Sequence, residues 1–103
     1  MIDRYEGKPF LRLLESYVLD AIGHLGADQR RELTSSETDF RKMFGVSGDW
    51  RTIVEKRMQF PAGMPSAIRE VWDKGAVKFR EANGFEPEPR TFAEQFVDTN
   101  FPH

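Results

Sequence analysis

Apolar residues recur at three-and-four spacing along two long stretches of this chain, and no stretch alternates apolar with polar for more than a few residues. The first spacing buries one face of an α-helix, whereas a half-buried strand needs the alternation. The sequence therefore reads as an all-α fold. In the first stretch Phe10, Leu14, Tyr17, Val18, Ala21, Ile22 and Leu25 fall on one stripe, and Leu11, Leu13 and Leu19 widen it enough to touch two neighbours. Pro9 suits the first turn, where an N–H has no intrahelical partner, and Gly23 with Gly26 supplies the stop. The second stretch opens at Pro65, carries Ile68, Val71, Trp72, Gly75, Ala76 and Phe79, and closes at Asn83-Gly84. Two long helices over 9–24 and 65–83 are expected, packed through Phe10, Leu14, Val18 and Ile22 against Ile68, Trp72, Ala76 and Phe79. Glu70 with Lys74 and Arg69 with Asp73, four apart, mark the solvent face of the second.

Between and after them the pattern is shorter. Residues 28–39 have Leu33 as their large apolar residue and read as one surface turn of helix followed by a loop. Ser35-Ser36-Glu37-Thr38-Asp39 offers capping hydroxyls and early carboxylates for a helix over 36–44, which Gly45 ends. Asp49 caps a helix over 49–59 that buries Trp50, Ile53, Val54 and Met58, and Pro61, Gly63 and Pro65 break the chain into a corner. Pro87 and Pro89 keep the following segment extended, and Thr91 with Glu94 has the spacing of a capping box for a last helix over 91–99. The expected architecture is one small helical bundle of about four to five helices over 1–103, with 86–103 a proline-containing segment docked on it.

Composition removes several functional classes. Without cysteine there is no disulfide framework, no thiolate metal site and no thiol nucleophile. The two histidines are His24 and His103, the latter at the very end of the chain, a poor anchor for a metal site. Fifteen Lys and Arg against 17 Asp and Glu give a net charge of −2, so no global field draws in polyanions. The N-terminal residues lack the apolar core of a signal peptide, and no apolar run approaches the roughly 20 residues that span a bilayer. A cytoplasmic protein without metal, cofactor or membrane attachment is expected.

The sharpest functional outline lies at 40–58, where a helix, a glycine turn and a second helix resemble a DNA-reading helix-turn-helix. Over 40–60, Arg41, Lys42, Arg51, Lys56 and Arg57 stand against two acidic residues, a patch suited to phosphates. Yet Arg41 and Arg51 occupy positions where such a motif wants small and apolar residues, and the second helix begins with Asp49 and Trp50 rather than base-reading side chains. A helical hairpin with a solvated basic face is the favoured reading.

Other candidates resolve the same way. Trp50 and Trp72 lie on apolar stripes, as core does. His24 sits at a helix end, where an imidazole caps carbonyls. Gly75 suggests the close approach of another helix. Glu94 and Asp98 are four apart on an exposed helix, and a hard-cation site needs about six oxygens. Gly45-Val46-Ser47-Gly48 lacks the Lys-Ser/Thr of a phosphate loop.

No catalytic residues emerge, and an enzyme is not expected. Phe85, Phe92, Phe96 and Phe101 remain, much aromatic area for little regular structure, either wrapped onto the bundle or left for a partner. The expected function is a non-catalytic protein-interaction module, an adaptor or regulator, binding another protein or a second copy of itself through these rings. The alternative is a DNA-binding regulator using the five basic residues, and only then is nucleic acid a partner.

Overall fold

The computed structural model describes residues 5–101, whose regular structure is entirely α-helix, with no strand among them. Residues 1–4, Pro102 and His103 lie outside the described part. The helices are α1 (Pro9–Ala21), α2 (Ala27–Ser35), α3 (Glu37–Phe44), α4 (Trp50–Met58), α5 (Met64–Asn83) and α6 (Pro89–Asn100). Six helices replace the expected four to five because α2 is a helix of nine residues, not a turn and a loop. Polar contacts build it. Asp28 sits in the first turn and pairs with Arg31, and the Gly26 N–H donates to Gln29 Oε1 at 3.1 Å. No described helix is long and apolar enough to cross a membrane.

The chain divides into two compact units, one running through His24 and resuming at Gly63, the other Leu25–Ala62. In the first, α1 packs against both α5 and α6. Leu11, Leu13, Leu14, Tyr17 and Val18 of α1 are buried, as are Ile68, Trp72 and Ala76 of α5 and Ala93 and Val97 of α6. The wide stripe of α1 matches its two partners. Two residues expected in the core, Phe10 and Phe79, are only half-buried. Phe10 lies in the first turn of α1, and Phe79 walls a groove described below. Gly23, at φ 79°, closes α1 in the left-handed conformation that glycine tolerates best. The His24 N–H then reaches back to the Leu19 carbonyl at 2.9 Å, and the Gly23 N–H to that of Asp20 at 3.1 Å. Backbone, not the imidazole, thus satisfies these end carbonyls. The His24 ring lies edge-on to Trp72, 5.4 Å between centroids.

The start of α6 also differs from expectation. Pro89 begins the helix, since its fixed φ suits a first turn and its absent N–H leaves nothing unsatisfied there. Thr91 is then inside the first turn, so the Thr91–Glu94 capping box does not form, and Glu94 instead meets Arg90 at 3.5 Å.

Glu15 on α1 is buried at 3% exposure and accepts a hydrogen bond of 2.7 Å from the Tyr5 phenol. Burial, reinforced by this carboxylate, pushes the Tyr5 hydroxyl up from 10.0 to about 12. The folded state therefore holds the proton more tightly than the unfolded chain. Stability from this contact is complete below pH 10.0 and is lost as pH rises through about 12. Urea midpoints compared across that window should fall more steeply for the native sequence than for Tyr5→Phe; parallel curves would show the contact to be idle.

In the second unit α2 meets α3 at Ser36, and α3 packs against α4. Ser36 stands at the α3 N-cap position without a side-chain capping bond, so the expected hydroxyl cap is not used; the Ser35 hydroxyl donates back to the Glu32 carbonyl at 3.0 Å. Asp49 caps α4 as expected, accepting from the Thr52 N–H at 2.8 Å, and this bond, reinforced by the Thr52 side chain, holds its carboxyl below the ordinary range. Trp50, Ile53 and Val54 are buried, while Met58 is half-buried.

Candidate binding groove

On α5 the residues Trp72, Gly75, Ala76 and Phe79 share one face at i, i+3, i+4 and i+7. Trp72 and Ala76 are buried, but the same face is left partly open at its outer edge because Gly75 contributes no side chain. Together these four form one wall of a groove of about 410 Å³. The segment after α5 supplies the next wall with Phe85 and Pro87, and α6 closes it with Phe92 and Gln95. All of these residues belong to the first unit.

Ring geometry shapes the walls. Trp72 and Phe92 meet at 5.1 Å with planes 67° apart, and Phe79 and Phe85 at 5.4 Å with planes 81° apart. Such edge-to-face pairs set adjacent rings nearly at right angles. Phe85 is 61% exposed, the most exposed of the large apolar side chains in the described chain. Polar atoms in the groove come from Glu86, Glu88 and Thr91 together with Gln95.

The sequence singled out Phe85, Phe92, Phe96 and Phe101, and the structure divides them. Phe85 and Phe92 line the groove. Phe96 and Phe101 continue the aromatic file beyond it, Phe96 at 5.6 Å from Phe92 and 5.8 Å from Phe101, all three half-buried. Sequence reasoning missed Phe79, Glu88 and the part played by Gly75. A cue for Gly75 was present, since a glycine on an apolar helical face leaves a gap whenever no neighbour fills it.

The structure corrects the expectation of a close helix approach there: a Cβ built at Gly75 meets nothing within 4 Å. Because Gly75 has ordinary helical φ, Gly75→Ala should raise stability by about 0.5–1 kcal/mol through reduced backbone entropy in the unfolded chain. Denaturant midpoints check this; a loss of stability would restore the close-approach reading.

The basic residues at 40–58 occupy the other unit. Arg41 donates to the Gly48 carbonyl and to Thr38 Oγ1, each at 3.1 Å, and Lys56 to the Ser47 carbonyl at 3.4 Å. The Arg51 guanidinium lies 5.0 Å over the Trp50 ring and that of Arg57 5.0 Å over Phe44. Lys42 is exposed. Three of these five cations, Arg41, Lys56 and Arg57, thus brace the α3–turn–α4 corner, while Arg51 covers Trp50 within α4. At the start of α4, two carboxylates accept from the backbone, Asp49 from Thr52 and Glu37 from the Trp50 N–H at 3.2 Å. Glu94 and Asp98 form no metal-binding cluster, and among the described residues no group of three or more ligating side chains gathers.

Comparison with known protein families, with curated proteins and with solved structures found no match. The groove's own geometry is what bears on function.

Proposed function

We propose that the chain is a cytoplasmic protein-interaction module, an adaptor or regulator without catalytic activity, and that a partner's short apolar segment seats in the α5–α6 groove. Phe85 carries this reading. A ring 61% exposed on the wall of an apolar cavity gains from being covered, at roughly 25 cal/mol for each Å² of apolar surface removed from water. Packing Phe85 inward against Phe79 alone leaves most of the ring wet.

A groove of about 410 Å³ has room for a few side chains of a short segment. Nucleic acid is less well supported, because most cations of the 40–58 segment already have internal partners and α4 begins beside two carboxylates.

A displayed random-peptide selection on the folded protein tests the reading. Peptides with apolar anchors should be enriched, and Phe85→Ala should weaken them by at least about 1–2 kcal/mol while leaving the melting temperature unchanged. Gly75→Leu, which fills the groove, should abolish binding. No enrichment, or enriched peptides indifferent to both substitutions, would overturn it. Concentration-dependent sedimentation of the protein alone would reveal a second copy as the occupant instead.

A further inference from the structure

Resting on the groove reading, we infer that the segment bound there carries a basic side chain beside its apolar anchor, held between the aromatic walls and the Glu88 carboxylate. The charge of the lining is one-sided: its ionisable residues are Glu86 and Glu88, with no Lys or Arg among the described residues that form it. Glu86 is already engaged, since Arg80 Nη1 lies 3.3 Å from its Oε1 and the Arg80 side chain lines a neighbouring depression with His24 and Asp73. Glu88 stands at the N-cap position of α6 but makes no side-chain capping bond. Among the described residues, this carboxylate borders an aromatic cavity without a cation of its own.

Aromatic faces attract cations through the ring quadrupole, more strongly as water is excluded. Phe79 and Phe92 are half-buried and Phe85 is exposed, and with Phe79 and Phe85 near right angles the groove offers π surface in more than one direction. The protein uses this pairing elsewhere in itself, with Arg51 over Trp50 and Arg57 over Phe44. Glu88 is exposed within the groove lining, so an acidic segment would meet repulsion there and a basic one attraction. A lysine or arginine next to a leucine-like anchor satisfies both the rings and the carboxylate.

Two capped synthetic peptides, Ala-Leu-Lys-Leu-Ala and Ala-Leu-Gln-Leu-Ala, are titrated to millimolar concentration into the full chain and into Glu88→Gln, followed by amide chemical shifts. The lysine peptide should bind the native sequence roughly tenfold more tightly than the glutamine peptide, and Glu88→Gln should remove most of that difference. Equal affinity on the native sequence would overturn the basic-ligand inference and leave the groove reading standing. Groove amides unmoved by either peptide would overturn both. Preference retained in full by Glu88→Gln would assign the selectivity elsewhere and overturn the role of Glu88; circular dichroism of that variant confirms that it is folded, and Glu86→Gln serves as the second variant.

Discussion

Val97→Asp is expected to unfold the unit made by α1, α5 and α6. Val97 is 0% exposed on α6, in the helix that packs against α1 together with the equally buried Ala93. The substitution removes apolar contact and places an unpaired carboxylate where no water reaches it. A buried charge without a partner destabilises by about 3–5 kcal/mol, a large share of the roughly 5–15 kcal/mol that holds a domain together. Far-ultraviolet circular dichroism through a urea series should show the midpoint collapse or the unit already unfolded in buffer. A variant with an unchanged midpoint would mean that α6 contributes little to the fold and is free to act as an arm.

The second large effect belongs to the other unit. Trp50→Ala should cost about 3–5 kcal/mol, the range for truncating a buried tryptophan. The ring is 2% exposed, its guanidinium neighbour Arg51 covers it at 5.0 Å, and its backbone N–H ties α4 to Glu37 on α3. Near-ultraviolet circular dichroism and denaturant midpoints report the outcome. A loss under about 1 kcal/mol would show Trp50 to be a surface platform, and an account of it as core would fail.

What could be read from the residues divides along physical lines. The positions of α1 and α5 were legible because burial of a helical stripe writes itself into apolar spacing, and Pro9, Pro65 and Gly84 mark their ends chemically. The helix α2 was not, because it rests on side-chain pairs such as Asp28 with Arg31 and buries Leu33 alone. At α6 two start signals competed, and Pro89, which needs no partner for its nitrogen, prevailed over Thr91.

The groove was legible only in its excess of aromatic residues. Phe85 and Phe92 stood out by composition, but Phe79 looked like core until the segment after α5 folded back beside it. Gly75 is ambiguous in sequence, since a helical glycine fits either a close neighbour or a gap, and tertiary structure alone chooses. The internal partners of Arg41 and Lys56 depend on where the Ser47-Gly48 carbonyls point, which no spacing rule supplies.

Docking of a partner's segment between α5 and α6 is open to amide chemical-shift mapping with a selected apolar peptide. Shifts are predicted to concentrate at Gly75, Phe85 and Gln95, and to vanish in Gly75→Leu. Shifts concentrated instead between Arg41 and Arg57, or none at a saturating concentration, would contradict it.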